Sequence, residues 1–222
     1  ILKRGYYPTG GGEVHITITP PHSYQTSKQD KSWNNIIQTL QTSIPPFNLN
    51  EADDLLYIKG VINCSQVLAE KEVAERIRRA AQMSLQSFNV PINIAVEYAS
   101  TTSIGGEIFL YALRGKNNTY NTKNPQIIAA SGLLEKSISS EELGKKVAHQ
   151  LKNNLTSNAT VDEHLCDQLI LYAGLLPGSQ LHPTTINNHT LSNIAVVERF
   201  LPVRFEKRGD VLLSHPFSAQ DL

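Results

Sequence analysis

The chain has 222 residues, 40% hydrophobic and 18% charged, with 20 Lys+Arg balancing 20 Asp+Glu. That much apolar material excludes wholesale disorder, and no apolar run reaches the length of roughly eighteen residues that a membrane-spanning helix needs. Zero net charge excludes a strongly basic nucleic-acid footprint over the whole chain, while leaving a locally positive groove open.

Two cysteines, Cys64 and Cys166, are too few for a disulfide framework or a zinc cage. They read as reduced thiols of a cytoplasmic protein, and no metal site is expected from them. The chain opens Ile-Leu-Lys-Arg, without Met and without a charged-then-apolar secretory pattern. The expectation is a fragment, a processed chain or one part of a split protein.

Gly10, Gly11 and Gly12 precede an alternation in which Val14, Ile16 and Ile18 share one face and His15, Thr17 and Thr19 the other. This predicts a loop feeding a half-buried strand, ended by Pro20-Pro21 because proline cannot donate to a ladder. Residues 22–54 are polar and read as a long surface connection, within which Ile36, Ile37 and Leu40 could make a short amphipathic helix.

Leu55–Cys64 reads as a strand. From Ala69 to Phe88 the period changes to that of a helix, with Val73, Ile77, Ala81 and Leu85 on one stripe. Strands follow at Ile92–Tyr98, Glu107–Leu113 and Ile127–Ala130. This β-α-β-β order over 55–138 predicts a small α/β subdomain with its own core, flanked by a main domain made of residues 1–54 and 139–222.

Ser139 and Glu142 form an S-x-x-E capping pattern before a helix carrying Leu143, Val147 and Leu151. Thr160 and Glu163 repeat it as T-x-x-E before a second helix, whose apolar stripe reads as Leu165, Leu169 and Tyr172. Ile194, Val197 and Leu201 are spaced for a helix, although the β-branched run permits a strand. Val203–Glu206 and Asp210–Ser214 predict a closing hairpin around Lys207-Arg208-Gly209.

The glycine run is neither a phosphate-binding P-loop, since no Gly-Lys-Ser/Thr follows, nor a dinucleotide fingerprint, since a strand rather than a helix follows. It serves either as a tight turn or as a close backbone approach to an anion, with Lys3 and Arg4 beside it. On the second helix His164, Asp167 and Gln168 stand at i, i+3 and i+4 and therefore on one face. That trio is either a solvated surface or a set that stacks on and hydrogen-bonds a purine. His182 and His189 flank Pro183–Asn188 near a possible helix start, where an imidazole could act as nucleophile, base or phosphate contact. No G-x-S-x-G, H-E-x-x-H or paired-cysteine motif competes.

Three segments together resemble one family, the RNA 3′-terminal phosphate cyclases. Arg4-Gly5-Tyr6-Tyr7-Pro8-Thr9-Gly10-Gly11-Gly12-Glu13-Val14 is similar to the family's R-G-x-x-P-x-G-G-G motif. Glu163-His164-Leu165-Cys166-Asp167-Gln168-Leu169 is similar to its L-x-D-Q-L helix. His189-Thr190-Leu191-Ser192-Asn193-Ile194, followed by Val197-Glu198-Arg199-Phe200-Leu201-Pro202, is similar to the segment that holds its catalytic histidine.

The resemblance implies an α/β fold of repeated βαβαββ units with a small inserted subdomain. It also implies an enzyme that uses ATP and a divalent cation, Mg or Mn, to turn an RNA 3′-phosphate end into a 2′,3′-cyclic phosphodiester. His189 matches the nucleophile that takes AMP. His164, Leu165, Cys166, Asp167, Gln168 and Pro8 match the nucleotide pocket, and Arg4, Gly10, Gly11 and Gly12 are expected to contact phosphate or RNA. The implied partners are ATP, RNA with a 3′-phosphate end and, because family members extend further at the N-terminus, a separate chain supplying the missing part. Two alternatives stand beside it: a non-catalytic cyclase-like protein serving ribosome assembly or RNA binding, and another enzyme on a similar fold, such as an enolpyruvyl transferase. The presence of His189 favours the cyclase over the first.

Overall fold

The computed structural model describes residues 1–19, 32–122 and 125–217. It is a mixed α/β structure with two four-stranded sheets, divided into two compact units. The first unit comprises Ile1–Ile18 and Asp53–Ser157; the second comprises Thr19–Ala52 and Asn158–Leu222.

In the first unit β2 (Asp54–Ser65) runs into α2 (Val73–Leu85) and returns as β3 (Ile92–Ala99), parallel to β2. Antiparallel β4 (Gly106–Gly115) and β5 (Gln126–Leu133) complete the order β3-β2-β4-β5. The alternation along these strands buries Ile58, Ile62 and Cys64 of β2 and Ile108, Leu110 and Ala112 of β4. The expected stripe of α2, Val73, Ile77, Ala81 and Leu85, is buried with them. Each buried Val, Ile or Leu among them contributes roughly 1.5–3 kcal/mol.

No side chain of its own caps α2. Tyr98 of β3 serves instead: its hydroxyl accepts from Ala74 N at 3.3 Å and donates to Glu75 Oε2 at 2.6 Å. Burial, with the Glu75 carboxylate beside it, pushes that phenol up to about 12.

The unit extends beyond residue 138 to include α3 (Ser140–Thr156), which packs on α2, β4 and β5. The capping box read at its start is present: Ser139 Oγ accepts from Glu142 N, and Glu142 Oε2 accepts from Ser139 N at 2.8 Å. Arg76 of α2 grips Glu141 through two hydrogen bonds of 2.7 and 2.8 Å.

The second unit has the sheet order β1-β6-β8-β7. Its strands are β1 (Asn48–Leu49), β6 (Gln180–Leu181), β7 (Val203–Arg208) and β8 (Val211–Pro216). β7 and β8 form the expected hairpin, turning at Gly209 with φ +60°. The helices are α1 (Trp33–Ser43), α4 (Glu163–Leu175) and α5 (Asn188–Phe200). The core gathers Val161, Cys166, Ile170, Leu181, Val197, Leu201, Val203 and Leu212.

Two expectations are corrected, and one open alternative is decided. Residues 14–18 form no strand: Val14, Ile16 and Ile18 are 62%, 74% and 84% exposed. Alternation makes a strand only where a neighbour supplies the ladder, and among the described residues none pairs with this segment. The cap of α4 is Asp162 rather than Thr160: Asp162 Oδ1 accepts from His164 N at 3.1 Å and Leu165 N at 2.9 Å. The Thr160 hydroxyl is occupied with the carbonyls of Leu49 and His182. The segment around Ile194 takes the helix that its spacing suggested rather than the strand, with Thr190 and Val197 as its buried residues. The polar connection expected over 22–54 includes α1; its part before residue 32, with His22 and the Pro20-Pro21 stop, lies outside the described residues.

Candidate active site

In the second unit α4 and α5 pack closely. Gly174 of α4 permits this: a Cβ there would stand 2.4 Å from Val197 Cγ1 of α5. The buried stripe of α4 is Cys166, Ile170, Ala173 and Gly174. Leu165 and Leu169 lean partly into the core, and Tyr172 is 57% exposed, so the stripe lies one residue round from the expected one.

His164 and Gln168 are exposed and Asp167 half-buried, so the polar trio shares the outward face of α4. Cys166 does not belong to it. That thiol is wholly buried in the core, and burial pushes it up to about 11, with a hydrogen bond to Thr190 pulling the other way. A nucleotide contact through the Cys166 side chain is therefore corrected to a packing role.

α5 begins at a real cap. Asn187 Oδ1 accepts from Thr190 N at 2.9 Å and from Thr190 Oγ1 at 3.1 Å. His189 lies in the first turn with its side chain exposed, where unpaired N–H groups and the helix dipole favour an anion. His182, its neighbour in the sequence reading, is half-buried, and its main chain pairs with Leu49 and Thr160.

Two amides, Asn193 on α5 and Asn187 at its cap, reach carboxylates of α4. Asn193 Nδ2 donates to Asp167 Oδ1 at 2.5 Å and to Asp167 O at 3.3 Å. Asn187 Nδ2 donates to Glu163 Oε2 at 3.5 Å. The turn that carries His189 is thus tied to the helix that carries His164, Asp167 and Gln168. Sequence reasoning passed over Asn187, Asn193 and Asp162. The spacing 187, 190, 193 on one face of α5 was the available signal.

In the first unit Pro8 is exposed and follows a cis Tyr7–Pro8 bond. Gly10 and Gly11 adopt φ of +71° and +78°, which glycine alone takes readily. A Cβ on Gly5 would stand 2.3 Å from Gly10 O, and Gly10 N donates to Tyr6 O at 2.8 Å. The run is therefore a tight turn packed on itself, with Gly11 and Gly12 outermost and exposed. Tyr6 lies over Gly105, and its hydroxyl donates to Asn63 O at 3.1 Å; burial and nearby Glu107 push the phenol up to about 12.

Arg4 is engaged by carboxylates. Its guanidinium donates to Glu107 Oε1 at 2.5 Å and stands 3.8 Å from Glu97 Oε2. These two carboxylates partly offset its charge.

The class defined so far is an α/β protein whose second unit presents a polar helical face and an exposed histidine at the start of the adjoining helix. The family model described as "RNA 3′-terminal phosphate cyclase" matches residues 1–207, and the chain belongs to that family. It is similar to proteins named "RNA 3′-terminal phosphate cyclase" from three organisms. The relative from Methanococcoides burtonii is 31% identical over 214 residues, 96% of this chain and 53% of the relative. That from Saccharolobus islandicus is 30% identical over 210 residues, covering 94% and 52%. That from Nitrosospira multiformis is 27% identical over 209 residues, covering 93% and 50%. The chain spans about half the length of the curated relatives it matches. Among the described residues no helix is long and apolar enough to cross a membrane.

Proposed function

We propose that the protein carrying this chain converts RNA 3′-phosphate ends to 2′,3′-cyclic phosphodiesters at the expense of ATP, in the cytoplasm. His189 attacks the α-phosphorus of ATP; a phosphorus–nitrogen bond forms and pyrophosphate leaves. The RNA 3′-phosphate then takes AMP from the histidine. The vicinal 2′-OH attacks that activated phosphorus, loses its proton, and expels AMP as the ring closes.

Each step has a physical reason. A phosphate monoester offers no good leaving group, and adenylylation supplies one. The 2′-OH is already beside the phosphorus, so cyclisation proceeds without the entropic cost of a bimolecular encounter. A 2′-OH is required, which makes RNA rather than DNA the substrate.

Among the described residues no three His, Cys, Asp or Glu side chains gather to hold a metal ion. In this reading a divalent cation, Mg or Mn, would offset the charge of the bound triphosphate. His164, Asp167 and Gln168 hold the nucleotide. Exposed Gly11, Gly12 and Pro8 remain as proposed phosphate, RNA or base contacts.

The observation that carries the reading is the exposed His189 in the first turn of α5, within the residues the family model matches. Incubation of the intact protein with ATP labelled at the α-phosphate and a divalent cation tests it. Acid-labile, base-stable label on the protein, lost in His189→Ala, is expected. Absence of label would leave the non-catalytic reading, an RNA-binding or ribosome-assembly factor of cyclase fold.

A further inference from the structure

Asn193 makes an unusual contact for an exposed side chain. One amide group serves two acceptors of the same residue across a helix–helix seam, Asp167 Oδ1 at 2.5 Å and Asp167 O at 3.3 Å. A bond to the main chain of α4 fixes the amide, and the fixed amide then sets the carboxylate's rotation. Among the described residues, Asn193 is the side chain that hydrogen-bonds Asp167.

An exposed polar pair adds little to stability, because water competes for both partners. The seam has other means of cohesion: buried Thr190, buried Val197 and the close approach at Gly174. The Asn193–Asp167 link therefore does little for packing. What it does is orient an acidic group on the outward face of α4, beside His164 and Gln168. A carboxylate free to rotate must be ordered whenever a ligand binds, and ordering a side chain in advance removes that cost.

We propose, resting on the nucleotide reading of that face, that Asn193 is a positioning residue for ATP. It holds Asp167 Oδ1 so that the rest of the carboxylate is presented to N–H or O–H donors of the nucleotide. Asn193 itself does not touch the reacting atoms.

Titration calorimetry of the intact protein with magnesium and α,β-methylene-ATP, whose carbon bridge prevents pyrophosphate release and so isolates binding, tests this in four forms: wild type, Asn193→Leu, Asp167→Ala and the double variant. Asn193→Leu is expected to weaken ATP binding about tenfold, and the double variant to bind no more weakly than Asp167→Ala alone, since the amide acts only through that carboxylate. In turnover, Asn193→Leu raises the KM for ATP and leaves kcat within about twofold. A structural role would displace His189 and lower kcat instead. Unchanged affinity in Asn193→Leu, or losses that multiply in the double variant, would overturn the positioning role while leaving the nucleotide site intact. A wild-type protein that binds no ATP would overturn the nucleotide reading, and this role with it.

Discussion

Gly144 of α3 meets the backbone of α2 at Ile77: a Cβ on Gly144 would stand 2.4 Å from the Ile77 carbonyl oxygen and 3.1 Å from Ala80 Cβ. Neither neighbour is the end of a flexible side chain, so the helices must separate to admit a methyl group. Gly144→Ala is expected to destabilise the first unit by about 1–3 kcal/mol, despite alanine's better helix propensity. Urea unfolding followed by circular dichroism measures this; equal or greater stability would contradict the packing described.

The start of α3 is a second target. Ser139→Ala removes the hydroxyl that accepts from Glu142 N and is expected to cost about 1 kcal/mol. The same turn has an acid response. Arg76 holds the Glu141 carboxyl below its ordinary value, and the Ser139 N–H does the same for Glu142. A carboxylate lowered in the folded state contributes stability that is present above its unfolded pKa, about 4.3 for Glu. That contribution drains away as pH falls through this value and on through the folded one. Lowering the pH from 7 towards 3 should therefore reduce the urea midpoint, and less so in a Glu141→Gln, Glu142→Gln variant. Equal acid sensitivity of the two proteins would count against these groups.

Cys64 and Cys166 are both wholly buried, and burial pushes each thiol up to about 11. Only the thiolate reacts with alkylating reagents or disulfides. Neither should be modified by iodoacetamide at pH 8 in the folded protein, and both should be in urea. Rapid labelling of native Cys166, read by mass spectrometry, would place it on the outward face of α4 after all.

Much of this architecture could be read from residue order, for local reasons. The stripe Val73, Ile77, Ala81 and Leu85 repeats at the helical period, and the Ser139–Glu142 box spans only a single turn. The hairpin at Gly209 is equally local. What could not be read depends on partners distant in the chain. Val14, Ile16 and Ile18 alternate, but alternation does not say whether a neighbouring strand exists. On α4, the stripes 165/169/172 and 166/170/173 are both apolar, and only tertiary packing decides which turns inward. Asp162 and Thr160 both suit a helix start, and the choice fell to the residue whose oxygen was not already needed by Leu49 and His182. Arg4 finds Glu107 across 103 positions, and Asn193 finds Asp167 across 26. The trio His164, Asp167 and Gln168 was legible because it lies within one helix.

The decisive measurement is the mass of the tryptic peptide containing residue 189, after the intact protein is incubated with ATP and magnesium and digested at alkaline pH. An AMP adduct on His189, removed by brief acid and absent when His189 is replaced by alanine, is the expected result. An unmodified peptide from a preparation that nevertheless cyclises RNA ends, or an adduct on another residue, would contradict the assignment of the nucleophile.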